Sequence, residues 1–333
     1  MFIVNSYTLA VVFCIITMIC WGSWGNTQKL AAKNWRYELY YWDYTIGILL
    51  FSIALCFTLG SMGSAGRSFV PDLMQIEGGK AVSALIGGVI FNASNILLAA
   101  AVSIAGMAVA FPLGVGLALV LGVFINYMAE PKGNALLLFL GVLLVTVAIV
   151  CNGLAARQKE SDDGGNTRKG IVLAITAGVL MSFFYRFVAA AMDLNDFVNP
   201  TPGMATPYTA FFIFACGIFL SNFIFNTLVM RRPFVGRPVS YAQYFKGKPG
   251  MHIPGILGGY IWGLGTAFSY IAAGKAGAAI SYALGQGAPM IAALWGVFVW
   301  KEFKGSPKAT DYLLIVMFVF FLAGLSLVTM AGA

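Results

Sequence analysis

The residues of this chain that could do chemistry are polar side chains set inside long apolar runs. Asn92 and Asn95 are three residues apart, so a helix would carry both amides on one side. Tyr282 and Gln286 have the i, i+4 spacing of a single helix face. An amide offers two donors and two acceptors, which suit ureido, amide or sugar hydroxyl groups. These residues predict binding of a neutral polar solute, with hydrogen bonds between neighbouring helices as the alternative.

Aromatic side chains accompany these amides. Trp21 and Trp24 are one helical turn apart, with Ser23 between them, and could form a stacking wall for a planar or ring-shaped solute. An interfacial aromatic belt is the alternative, above all for Trp24. The stretch of the second half that corresponds to Asn92 and Asn95 is aromatic and hydroxylic instead. It adds the candidate substrate-binding residues Tyr260, Trp262, Thr266 and Tyr270.

Asp43 is a carboxylate about one turn inside the second apolar run. Ionisable groups within a membrane span are costly and are therefore candidates for function, and a carboxylate can carry the coupling proton. An ion pair with Lys29, Lys33 or Arg36 in the preceding loop is the alternative.

Arg186 lies inside the sixth apolar run. Three roles stay open for it. It could pair with Asp193 or Asp196, extend along its stem to the membrane surface, or coordinate a carbonyl or anionic group of the solute.

The elements that must position these residues are membrane-spanning helices. The chain has 333 residues, of which 60% are hydrophobic and 10% charged, and its mean hydropathy is +0.86. Its apolar runs are long enough to cross about 30 Å of hydrocarbon. We predict an all-α polytopic membrane protein with ten spans at 6–29, 40–60, 81–103, 106–128, 134–156, 170–191, 207–230, 253–273, 277–299 and 310–331.

An internal repeat predicts how these spans are arranged. The segment Gly87–Phe124 reappears in degraded form as Gly258–Trp295, at a constant offset of 171 residues. If each copy holds five spans, the second copy enters the membrane in the opposite sense, which is the inverted-repeat design of secondary transporters. We therefore expect a first repeat at 1–156, a polar linker at 157–169 and a second repeat at 170–333.

The basic residues report topology rather than nucleic-acid binding. The net charge is +8, but the lysines and arginines are spread over short loops, most of them on the side that holds the linker. The positive-inside rule makes that side cytoplasmic and places both termini outside, in the periplasm of a bacterial inner membrane. Because one chain already contains both halves of a pathway, we expect it to work as a monomer.

Several function classes are disfavoured by the sequence. The linker has no GxxxxGK[ST] motif for ATP, and the single His252 makes a metal site implausible, so no cofactor is expected. Acidic residues are scattered singly, unlike those of membrane enzymes that act on lipids, and no channel-type charge ring is evident. The chain is predicted not to be an enzyme. A secondary transporter coupled to protons, or to Na⁺, is the favoured interpretation.

Short motifs add a family resemblance. The segment Trp21–Trp24, the duplicated five-helix halves and the ending Trp295–Phe303 resemble the drug/metabolite transporter superfamily. Within it, Asp43–Thr45 and Phe57–Gly63 resemble the ureide permeases and the bacterial glucose/ribose and rhamnose porters. This resemblance implies proton-coupled import of ureides, nucleobases or sugars. The long central segment of plant ureide permeases is missing here, which favours a bacterial member. Export of drugs, amino acids or other metabolites is the alternative.

Overall fold

The chain is an all-α protein. The computed structural model describes residues 1–32, 34–105, 110–158 and 167–333, without the side chains of Ser103 and Thr167. Within these ranges it contains helices and no strand, and ten of its helical stretches are long and apolar enough to cross a membrane. The predicted fold class and number of spans are confirmed. The inverted relation of the two halves, and their domain limits, stay predictions.

The spans have the following bounds. In chain order they are Tyr7–Ser23 continued by Gly25–Ala31, Tyr37–Phe57, Gly78–Ala105, a π-helical turn Pro112–Gly116 continued by Leu117–Ala129, Ala135–Arg157, Thr167–Ala189, Pro207–Arg231, Pro249–Ala276, Ala278–Gly285 continued by Ala288–Leu294 and a π-helical turn Trp295–Val299, and Lys308–Met330. Two short helices, Phe69–Gln75 and Tyr241–Phe245, lie in the loops after the second and seventh spans. The predicted start of the fourth span, and most of the linker, lie outside the described residues.

Helix ends follow local sequence. Ser6 and Asn134 cap the first and fifth spans through side-chain oxygens that accept from the backbone N–H groups of Leu9 and Leu137. Pro207 and Pro249 occupy the first turn of the seventh and eighth spans, where a missing N–H costs nothing. The eighth span consequently begins at Pro249 rather than at the predicted residue 253, and this places His252 inside its first turn.

Loop contacts define two faces of the helical bundle. We name the terminus face for Met1, whose ammonium donates to the carbonyl of Ala65, and for Ala331, whose carbonyl accepts from the N–H of Asn134. The linker face is opposite, where the fifth span ends at Arg157 and the sixth begins at Thr167. On the linker face Arg36 of the first loop donates to the carbonyl of Arg237 in the loop after the seventh span.

Glycine contacts bring the central helices together. A Cβ at Gly88 in the third span would overlap the carbonyl oxygen of Phe214 in the seventh, and a Cβ at Gly259 in the eighth would overlap that of Tyr44 in the second. The fifth and tenth spans pack against each other through Gly141 and Gly324. Such close approach replaces the hydrophobic drive that is missing in lipid. It also holds the third span against the seventh and the eighth span against the second.

Candidate substrate and coupling sites

Asp43 is at the centre of a buried hydrogen-bonded cluster on the linker face. Its side chain is 1% exposed and accepts three hydrogen bonds from three other elements. Trp35 Nε1 donates to Oδ2 over 2.8 Å, Tyr244 Oη donates to Oδ1 over 2.6 Å, and His252 Nδ1 lies 2.8 Å from Oδ1. Both carboxylate oxygens are therefore engaged, and the second span is joined here to the first loop, the short helix Tyr241–Phe245 and the eighth span.

The rings around Asp43 also pack on one another. His252 meets the rings of Trp35 and Tyr244 edge-on, each with centroids 4.9 Å apart. Gly255 lies one turn after His252, and a Cβ there would overlap Asp43, so the eighth span can approach the second only with glycine at this position. We call Trp35, Asp43, Tyr244 and His252 the linker-face latch.

The expected ion pairs of Asp43 are not those observed. Lys29 pairs with Glu302, and Arg36 pairs with Glu38 at 2.6 Å, while Lys33 lies outside the described residues. The alternative of a pair with Lys29 or Arg36 is therefore wrong. The carboxylate is balanced by donors of which only His252 can carry a full positive charge.

The two amides of the third span meet at one tyrosine. Tyr41 Oη donates to Asn92 Oδ1 over 2.9 Å, and Asn95 Nδ2 donates to Tyr41 Oη over 3.1 Å. Asn92 Nδ2 also donates to Ser221 Oγ and to the carbonyl of Ile218 in the seventh span. Asn92 thus forms interhelical bonds among three spans, whereas Asn95 is only half-buried.

The tryptophans lie beside these amides. Phe91 and Trp262, which the sequence repeat aligns, stack on each other with centroids 4.4 Å apart. Trp21 stacks on Trp262 at 6.2 Å and donates from Nε1 to Thr266 Oγ1, and Trp24 packs on Tyr44 at 4.8 Å. We call Trp21, Trp24, Tyr44, Asn95 and Trp262 the central aromatic site. Its Tyr44 hydroxyl is fully buried and has no hydrogen-bond partner.

A second group of hydroxyls lies between the central aromatic site and the terminus face. Tyr270 and Tyr282 both pack on Tyr185, whose hydroxyl lies 3.0 Å from Ser269 Oγ. Tyr282 Oη donates to the carbonyl of Ala118 and also interacts with the side chain of Gln286. The Tyr270 hydroxyl has no partner. These buried rings fill the terminus-side half of the bundle.

Three sequence-predicted residues are not brought to the centre. Tyr260 is 36% exposed on the outer face of the eighth span and meets Phe51 edge-on, so it does not line the candidate site. Ser23 accepts from Trp295 Nε1 near the bundle surface. Arg186 is half-buried in the last turn of the sixth span, near the terminus face. Asp193 and Asp196, its expected partners, accept hydrogen bonds from their own loop instead.

A second buried carboxylate joins two loops at the terminus face. Asp72, on the short helix Phe69–Gln75, is fully buried and accepts from the N–H and the hydroxyl of Thr206 at 2.8 and 2.9 Å. Arg67 Nε lies 3.5 Å from Asp72 Oδ1, and Gln75 joins the cluster from the same helix. We call Arg67, Asp72, Gln75 and Thr206 the terminus-face latch.

Sequence reasoning missed residues whose partners are distant along the chain. Tyr41 and Tyr44 lie next to Asp43 in the sequence but are not among the predicted site residues, and His252 is considered there only as a metal ligand. Tyr244 lies in a loop, where a tyrosine carries no signal of its own. The one usable signal was that the chain's single histidine falls at the start of a span.

Comparisons with known proteins agree with this architecture. The family model for ureide permeases matches residues 40–169 and 163–332. Ureide permease 2 and ureide permease 1 of Arabidopsis thaliana are 25% and 23% identical to this chain, and each alignment covers 98% of the chain and at least 97% of the relative. A solved crystal structure covers 96% of both chains with a TM-score of 0.63 at 15% identity, which shows a shared fold.

Ten apolar spans packed around a buried polar and aromatic centre define a multi-pass membrane protein of the transporter class. The chain belongs to the ureide permease family, whose members are transporters and not enzymes. The wider superfamily and the kinship with sugar porters stay predictions.

Proposed function

We propose that this chain imports a small neutral polar solute by alternating access and couples uptake to protons. Ureide-type compounds or nucleobases are the first substrate class, because the relatives matched over nearly the whole chain are named ureide permeases. Sugars are the second class. The protein acts as a monomer in a bacterial inner membrane with both termini outside.

The central aromatic site carries the proposal. Tryptophan faces stack on a planar ring without regard to charge, while an amide and a phenol supply donors and acceptors. Tyr44 contributes a fully buried hydroxyl with no partner, and buried polar groups are normally hydrogen-bonded. A solute carbonyl or N–H that reaches this hydroxyl would satisfy it, which favours a ring that carries polar groups over an apolar one.

Packing of the two halves supports alternating access. Gly88 and Gly259 are aligned by the sequence repeat, and each makes the same kind of backbone contact with a helix of the other half. The third span begins beside the terminus face and the eighth beside the linker face. Inverted repeats related in this way let one half rock against the other around a fixed central site.

Uptake into proteoliposomes tests the proposal. We expect a radiolabelled ureide such as allantoin, a nucleobase or a monosaccharide to accumulate above its external concentration when the outside is acidic, and only to equilibrate without the gradient. Tyr44→Phe should raise the solute concentration at half-saturation about fivefold, the equivalent of about 1 kcal/mol for one hydrogen bond. Tyr260→Phe, on the outer face, is the matched control. Failure of all three solute classes to enter would refute the proposal.

A further inference from the structure

We infer that Asp43 and His252 form one proton-binding couple, and that a proton entering through His252 opens the linker face by releasing the short helix Tyr241–Phe245. This inference rests on the proposed proton coupling. It assigns the site at which the proton binds, the residue that admits it and the element that it moves.

Exposure assigns the two members of the couple different tasks. The side chain of His252 is 21% exposed, whereas that of Asp43 is 1% exposed. Nε2 of His252 lies against Gly247, where an added Cβ would come within 2.7 Å of it, so this close packing requires glycine. Histidine is therefore the member that water reaches, and its Nδ1 already contacts the carboxylate.

The proton balance is simple. In the closed latch the neutral imidazole carries its proton on Nδ1 and donates it to the Asp43 carboxylate. A proton from water binds Nε2, and the Nδ1 proton passes to Asp43 Oδ1. The products are a carboxylic acid and a neutral imidazole protonated on Nε2. The couple has gained one proton and lost one negative charge, and no other bond has been made or broken.

Loss of the negative charge on Asp43 weakens the hydrogen bonds that its carboxylate accepts. Hydrogen bonds to an ionised acceptor are about twice as strong as those between neutral groups. Tyr244 and Trp35 both donate to Asp43, and Tyr244 is the residue through which the short helix reaches it. Protonation thus loosens the first loop and the short helix together, while both stay attached to their own spans.

Among the groups packed around the couple, histidine is the residue type that ordinarily binds a proton near neutral pH. On the second span Tyr40 is bonded to Thr27, and from the short helix Tyr244 presents a phenol. Burial raises the pKa of Tyr244 far above its usual value. Arg36 in the first loop is engaged by Glu38 and by loop carbonyls. Within the described part of the chain, the ion-pair partner of Asp43 is His252.

Nuclear magnetic resonance of ¹⁵N-labelled histidine tests the couple directly, because the chain has one histidine. The full chain, purified with a histidine-free tag and placed in nanodiscs without solute, should show the Nδ1–H tautomer at pH 8. In Asp43→Asn that tautomer preference should be lost, and the titration midpoint should differ from wild type by at least about one pH unit. Equal tautomers and midpoints in both proteins would overturn the inference. Because no solute is present, this result is independent of transport.

Hydrogen exchange tests the release of the latch. At one fixed pH, Asp43→Asn should exchange the amides of 241–248 at least about tenfold faster than wild type, the equivalent of about 1.4 kcal/mol. Asp72→Asn should leave 241–248 unchanged and loosen 69–75 instead. His252→Gln keeps a donor that does not titrate, so its latch should not loosen between pH 8 and pH 5 beyond the intrinsic change in exchange rate. Loosening of His252→Gln like that of wild type would contradict the mechanism.

Discussion

A buried carboxylate with its own set of partners joins loops and helix ends at each face of the bundle. Asp72 on the terminus face is held by Thr206, Gln75 and Arg67, none of which changes charge near neutral pH. Asp43 on the linker face is held by a tryptophan, a tyrosine and the only histidine of the chain. Similar architecture therefore carries a histidine in one latch and none in the other.

The short helices make the comparison closer. Each follows the second span of its half, and each connects to the start of a span of the other half. Phe69–Gln75 reaches Thr206, just before the seventh span, and Tyr241–Phe245 reaches Asp43, within the first two turns of the second. The difference between the faces thus lies in the chemistry of a few side chains and not in the framework.

The largest expected effect concerns that shared framework. Gly88→Ala and Gly259→Ala should each lower the free energy of unfolding by about 2 to 3 kcal/mol, because the new methyl overlaps a backbone carbonyl of the facing helix. Unfolding in mixed detergent micelles measures both. Gly250→Ala, where an added Cβ has nothing within 4 Å, is the control and should cost nothing. A large loss of stability in one of these two variants, with none in the other, would show that the two helix contacts are not equivalent.

The second prediction separates the two carboxylates in transport. Asp43→Asn should reduce accumulation driven by a pH gradient by about tenfold, since the couple can no longer exchange a proton. Asp72→Asn should leave unchanged the ratio of uptake with a pH gradient to uptake without one, even if fewer molecules fold. Both variants are compared in the same proteoliposomes, normalised to folded protein. Full accumulation by Asp43→Asn would remove this residue from coupling.

The sequence predicted the elements better than the contacts. Apolar runs about 20 residues long fix the number of spans, because the membrane thickness sets their length. Asn92 shows where this reasoning stops. Its place on the third span is read from the sequence, but its partners Tyr41 and Ser221 lie on two other spans, and no local pattern pairs them. Asp43 likewise was identified as a candidate, while Tyr244 and His252, about 200 residues further on, could be joined to it only by the fold.

A smaller effect comes from single hydrogen bonds in the two latches. Tyr244→Phe removes one donor to Asp43, and Thr206→Val removes one hydroxyl donor to Asp72. Each should cost about 1 to 2 kcal/mol of stability, since each bond is made to a charged group. Thermal denaturation in the same detergent measures the two losses. Only Tyr244→Phe should also alter the pH dependence of exchange in 241–248.

The smallest effects on stability are expected at the extremes of pH. They separate the contribution of His252 from those of Asp193 and Tyr244. Burial opposes ionisation of Asp193, but hydrogen bonds from Thr201 and from backbone N–H groups outweigh it and lower the pKa of Asp193. The stability that this carboxylate supplies is therefore complete above about pH 4 and is lost as pH falls through its lowered value. The raised pKa of Tyr244 has the opposite sign, so its contribution is complete below about pH 10 and is lost only in stronger alkali.

Between these limits neither the loop of Asp193 nor the phenol of Tyr244 titrates, and histidine is the side chain that ordinarily does. Hydrogen exchange measured from pH 3 to pH 11 should then show the 193–201 loop loosening only at the acid end. The 241–248 segment should change between pH 5 and pH 8, and Thr201→Val should move the acid step alone. A 241–248 response that persists in His252→Gln would assign the sensing of protons to another group and would make the two latches chemically alike.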